Sequence, residues 1–130
     1  MFNTELATAG TEAAQTFGLV SVSGGKSIRS LSGRAVGEPR LITISHQEVV
    51  RGKNAAGLPA KADRHLLRFD TTEVHGTTGV PSTESIYLVI EKPQDGLHTT
   101  AITIDTLSRI YNLLAESTWN GMTKFLNNEP

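Results

Sequence analysis

The 130-residue chain has no cysteine, so it can form neither a disulfide framework nor a thiolate metal site, in keeping with a reducing compartment. Aromatic residues are scarce at 5%, and no apolar run is long enough to cross a bilayer. Residues 1–15, MFNTELATAGTEAAQ, lack a basic segment ahead of an apolar one, so no secretory leader is expected. A formal net charge of −1 excludes polyanion binding driven by bulk charge alone. Internal repeats and low-complexity segments are also missing.

Enzyme motifs are equally thin. The stretch VSVSGGKSIRS (20–30) resembles the end of a phosphate-binding loop, but Val20 stands where that loop needs its first Gly. The adjoining KSIRSLSGRAVG alternates like a strand instead of opening a helix. Gly24-Gly25 is therefore read as a two-residue hairpin turn between FGLVSV and SIRSLS. There is no nucleophile elbow, and Asp70 and Glu73 alternate to opposite faces of a strand, which makes them a poor carboxylate pair. His46, His65, His75 and His98 show no metal-ligand spacing, and His46 and His65 share the parity of the apolar residues around them, as partly buried histidines do. No enzyme activity, cofactor, metal, membrane or small-molecule substrate is expected.

What the chain does contain is strand pattern succeeded by helix pattern. Short alternating runs, ELATA and TFGLVSVS, flank the loop GTEAA, and SIRSLS comes after the Gly-Gly turn. Longer runs occupy Arg40–Val50, Asp63–Val74 and Glu84–Lys92, joined by a Gly/Pro loop over 51–61 and a second loop, His75–Thr83. From Asp105, a candidate N-cap, the apolar residues Leu107, Ile110, Tyr111, Leu114, Trp119, Met122, Phe125 and Leu126 keep helical spacing. Ser117-Thr118 and Gly121 mark a kink or a break into two helices. The reading is an α+β single domain over 1–130: an N-terminal hairpin and strand (1–34), the main strands of a five- to six-stranded antiparallel sheet (40–92), and C-terminal helices (103–127).

Such a sheet is roughly 25 Å wide, whereas one helix covers about 10 Å. Ile42, Ile44, Leu67, Phe69, Ile86, Leu88 and Ile90 fall on a common apolar face that one helical tail cannot roof. An obligate homodimer is expected, with the tail packed across the partner's sheet.

Alternation assigns Thr43, Ser45, Gln47, Arg64, Arg68, Ser85 and Tyr87 to the opposite face, along with Leu66, Asp70, Val89 and Glu91. Residues 40–68 are also the basic part of the chain, with six Arg and Lys against Glu48 and Asp63. Forked guanidinium donors, small hydroxyls and an aromatic plane suit single-stranded RNA, although a solvated polar face has the same composition.

The strand–loop–strand from Arg40 to Val74, the Gly/Pro loop, YLVIEKP and DTLSRIYNLLAESTWNGM together resemble the coat protein of single-stranded RNA bacteriophages, over about two-thirds of the chain. That resemblance implies an interlocked dimer with one continuous sheet, helices outside and the polar face inside. It also implies assembly in the host cytoplasm into an icosahedral virion shell, packaging of a genomic RNA hairpin and translational repression. Thr43 and Ser45 would fall in an adenine pocket, Arg68 on the RNA backbone, and Tyr87 on the strand that carries a stacking ring. His75, Gly76, Gly79 and Pro81 would lie in the loop at the shell's symmetry axes. Gln47 and Leu66 depart from the basic or hydrogen-bonding groups common in relatives. A small dimeric RNA-binding regulator that never assembles is the alternative reading, and a small-ligand enzyme with the sheet as its floor a weaker third.

Overall fold

The computed structural model describes residues 5–8 and 15–127; Ala9 and the loop GTEAA lie outside the described residues. The chain forms two compact units, Met1–Gln94 and Asp95–Pro130. The first is a six-stranded antiparallel sheet in which each strand pairs with the next in sequence. Its strands are β1 (Glu5–Thr8), β2 (Gln15–Ser23), β3 (Lys26–Leu31), β4 (Arg40–Lys53), β5 (Pro59–Val74) and β6 (Pro81–Pro93).

The turns explain the register. Gly24 and Gly25 join β2 to β3 with φ of 54° and 78°, left-handed values that a two-residue hairpin requires and glycine adopts without strain. Gly25 also accepts a bond from the His46 N–H at 2.9 Å, and a Cβ there would stand 2.9 Å from the His46 carbonyl oxygen. The connection after β4 is shorter than the expected loop, because β4 runs to Lys53 and β5 begins at Pro59. The Asn54 side-chain oxygen folds that turn by accepting from the Ala56 and Leu58 N–H groups, each at 3.0 Å.

The next loop is also shorter than its sequence suggests. His75 Nδ1 accepts from the Thr77 and Thr78 N–H groups at 3.3 Å, and the His75 N–H closes on the Val80 carbonyl at 3.0 Å. Pro81, expected in the loop, is instead the first residue of β6, opposite Val74. A strand start at the sheet's edge is where a residue without an N–H costs least.

Register places Phe17, Leu31, Ile42, Ile44, Leu67 and Phe69 on one face, where they form the core. Phe17 meets Phe69 edge to face at 6.5 Å between ring centroids. Arg29 is buried on the same face and donates to the Ser27 hydroxyl at 2.7 Å. Among the described residues the buried apolar side chains are only Phe17, Ile42, Ile44 and Ala62, while Leu19, Val22 and Ile86 of the core-bearing face stay exposed.

The second unit holds α1 (Thr100–Leu126). Its N-cap is Thr99, whose hydroxyl accepts from the Ile102 N–H at 3.4 Å. Asp105 is not the cap: it lies a turn inside and pairs with Arg109 at 2.9 Å. The expected break is present, since Glu116 to Trp119 leave helical geometry and Ser117, Thr118 and Trp119 take φ of 48°, 59° and 67°. Three successive non-glycine residues in the left-handed region are costly. The break is held by Trp119, edge-on to Tyr111 at 5.8 Å, and by Gly121, where a Cβ would overlap the Leu113 carbonyl oxygen and sit 3.2 Å from the Leu114 Cα.

Gly121→Ala is therefore expected to destabilise the helical unit by about 1–3 kcal/mol, because the clash is with backbone. Helix loss monitored by circular dichroism in denaturant tests this, and an unchanged midpoint would contradict the close approach.

Candidate nucleic-acid interface

The face opposite the core is built in cross-strand rows. Ile28, Thr43, Arg68 and Tyr87 form one row across β3 to β6. Lys26, Ser45, Leu66 and Val89 form the next, with Gln47, Arg64 and Glu91 beyond them. On the other side lie Ser30, Leu41, Asp70 and Ser85. Every residue expected on this face from alternation is brought there, because one register runs unbroken through the paired segments of β4, β5 and β6 that carry them. Lys26 and Ile28 also join it. They escaped the sequence reading, although parity counted from the Gly24-Gly25 turn identifies them.

The rows differ in access. Thr43 is buried between Ile28 and Arg68, Ser45 is half-buried, and Tyr87 is 55% exposed. Arg68 lies over the Tyr87 ring with its guanidinium carbon 5.0 Å from the centroid, a cation–π contact. Its Nε donates to Asp70 Oδ1 at 2.8 Å, and the Ser85 hydroxyl donates to the same oxygen at 2.5 Å. Burial pushes the Asp70 carboxyl up, but the Ser85 hydroxyl and the Arg68 guanidinium outweigh it and hold it below the ordinary aspartate range.

Charge on this surface is thus arranged in pairs. Glu91 takes Arg51 and, at 3.6 Å, Arg64, while Asp70 takes Arg68. The pairing orients the guanidinium groups and lowers the net positive field that a count of Arg and Lys alone suggests. One signal was legible beforehand, because Arg68 and Asp70, two apart on a strand, must share a face.

The remaining candidates lie elsewhere. His75, Gly76 and Gly79 are in the β5–β6 turn, away from these rows, and Pro81 starts β6. Leu107, Ile110, Tyr111, Leu114, Trp119 and Met122 all lie on α1. Leu107, Leu114 and Met122 are half-buried, whereas Ile110, Tyr111 and Trp119 are exposed. Of the histidines, His46 is exposed and His65 half-buried, and the two face each other across β4 and β5. No helix among the described residues is long and apolar enough to cross a membrane.

No family model matches the sequence, and no curated protein matches it. Solved structures do. The bacteriophage EMS014 coat protein is 11% identical with a TM-score of 0.67, over 98% of this chain and 97% of that one. The virus-like particle of Beihai levi-like virus 21 is 14% identical with a TM-score of 0.65, over 97% and 94%. The virus-like particle of bacteriophage GQ-907 is 15% identical with a TM-score of 0.63, over 91% and 85%. The chain shares the fold of these proteins along nearly its whole length.

A carboxyl whose folded-state pKa is depressed stabilises the fold above its unfolded pKa, and that contribution is lost as pH falls through the folded value. Asp70→Asn is expected to cost on the order of 1 kcal/mol near neutrality and to flatten the loss of stability seen below about pH 4. Denaturation midpoints measured across pH for both proteins test this; parallel curves would refute the Asp70 contribution.

Proposed function

We propose that this chain is the coat protein of a single-stranded RNA bacteriophage, and not an enzyme. It dimerises, assembles into an icosahedral virion shell, and holds a genomic RNA hairpin against the Tyr87 face of its sheet. The observation that carries this reading is the fold, matched over 98% of this chain and 97% of a phage coat protein.

Three features support the finer parts. First, the sheet unit buries few apolar residues, and α1 carries exposed Ile102, Ile104, Ile110, Tyr111, Leu113, Phe125 and Leu126. Apolar surface on this scale is covered in dimers, at about 25 cal/mol per Å² removed from water. Second, β6 is a 13-residue edge strand, with Ile86 60% exposed. Long unprotected edges invite pairing, and a two-fold axis beside β6 makes one sheet from two. The partner's helical tail then covers the apolar face and leaves the opposite face free.

Third, the free face has the parts for an unpaired base. Tyr87 offers a ring plane, Arg68 above it a guanidinium to phosphate, and the half-buried Ser45 a hydroxyl to base edges, with Thr43, buried in the free sheet, beside it on the same strand. Bound to a hairpin around a start site, such a dimer blocks translation. The β5–β6 turn with His75, Gly76 and Gly79 is assigned to contacts around the shell's symmetry axes.

Expression of the full chain alone in bacteria is expected to yield uniform spheres by electron microscopy and a single large species by light scattering. Dimers alone would favour a non-assembling RNA-binding regulator, and stable monomers would end the coat-protein reading.

The finer claims are tested on dissociated dimers with hairpin RNA recovered from the particles. Arg68→Ala or Tyr87→Ala should weaken binding by about 1–3 kcal/mol while shells still form. Equal affinity would place the RNA elsewhere. Trp119→Ala should weaken the dimer by on the order of 3 kcal/mol in sedimentation, and an unchanged dimer would exclude the ring from the interface.

A further inference from the structure

The most unusual juxtaposition outside the polar face is a histidine pair. His46 on β4 and His65 on β5 are 19 residues apart in sequence, yet they stand directly opposite each other on the core-bearing face. Their Nδ1 atoms are 2.9 Å apart and their rings meet nearly edge to face, with centroids at 5.0 Å. Two neutral imidazoles at that distance share one hydrogen, so one Nδ1 donates and the other presents its lone pair. A shift of that ring to its Nε2–H tautomer leaves two Nδ1 lone pairs on one strand-to-strand bridge.

The spacing lets one ion reach both rings. With metal–nitrogen bonds of about 2.0–2.1 Å, nitrogens 2.9 Å apart subtend about 90° at the metal. That is the angle between neighbouring positions of a tetragonal or octahedral ion, as in Cu²⁺ and Ni²⁺, whereas a tetrahedral zinc site needs the nitrogens about 3.3 Å apart. Cu²⁺ heads the affinity order for such ligands.

The surroundings suit a cation of this kind. His46 is exposed, so an ion and its waters have access. Glu48 and Asp63 lie opposite each other two residues along the same face, where Lys61 and Lys92 offset their charge. They are not ligands here: Glu48 is bound to Lys61 at 2.8 Å, and Gln94 donates to Asp63 at 2.7 Å. No group of three metal-ligating side chains occurs among the described residues, so water completes the coordination.

We propose that His46 and His65 form a bidentate site for Cu²⁺ or Ni²⁺ that staples β4 to β5 at mid-sheet. Binding replaces the shared hydrogen by the ion, and the ring that carried it takes up a proton from solvent at Nε2, so both ligands stay neutral imidazoles with no net proton release. The site is independent of RNA binding, since it occupies the other face; on the proposed reading the partner's tail packs on this same face, so access is greatest in the unassembled chain.

The test is titration of the full untagged chain with CuCl₂ in a weakly coordinating buffer at pH 7.5, read by calorimetry and electron paramagnetic resonance. The expected result is one Cu²⁺ per chain with two nitrogen ligands, and a higher thermal midpoint than the metal-free protein. His46→Gln and His65→Gln should each weaken binding at least tenfold and remove the thermal gain, whereas His75→Gln and His98→Gln should change neither. Circular dichroism of each variant separates loss of the site from loss of the fold. Binding by the His46→Gln/His65→Gln double variant equal to wild type, or no nitrogen signature in the wild type, would overturn the proposal.

Discussion

The constraint on which the rest of the structure depends is the ratio of apolar surface to available cover. A single antiparallel layer has two faces, and its core here rests on Phe17, Ile42 and Ile44 with Leu31, Leu67 and Phe69 around them. The helical unit brings further exposed apolar side chains of its own. Conformational entropy of folding costs on the order of 1–2 kcal/mol per residue, and on the proposed reading a chain with this little burial gains much of its stability when a second copy joins. On the proposed reading, folding and association are one equilibrium, and the stability of the subunit depends on its concentration.

The opposite face obeys a different constraint. Guanidinium groups on a sheet are long and mobile, and an unrestrained one loses entropy on meeting a phosphate. Here Asp70 and Glu91 pair with Arg68, Arg51 and Arg64, and on the proposed reading this orients them before RNA arrives. The carboxylates reduce the net charge of the surface while fixing the direction of its donors. Ser85 serves this arrangement: its hydroxyl donates to Asp70 and accepts from Arg68 Nη2 at 3.4 Å, so it acts as a support for the arginine.

Much of this was legible in the sequence, and the reasons are particular. Ile42-Thr43-Ile44-Ser45 alternates, so Thr43 and Ser45 oppose Ile42 and Ile44, and Gly24-Gly25 between two strand patterns reads as a tight turn. The break near Ser117 was visible because hydroxyl residues and Gly121 interrupt an apolar period. Positions that depend on a single hydrogen bond were not legible. Thr99 caps α1 ahead of the apolar period that pointed to Asp105, and His75 tightens its turn enough to free Pro81 for β6. Pairings between strands were hidden for another reason: the meeting of His46 with His65, and of Arg51 with Glu91, depends on a register that only the folded turns define.

The meander topology has a consequence for the order in which the molecule is made. Every strand of the sheet hydrogen-bonds to its immediate predecessor in sequence, so no pairing must wait for a distant segment to be synthesised. A ribosome can therefore lay the sheet down one ribbon at a time. The helix-forming residues emerge after all six strands, so the sheet can pair throughout before α1 forms. On the proposed reading, neighbouring ribosomes on one message would hold such sheets close together, with β6 edges free to meet.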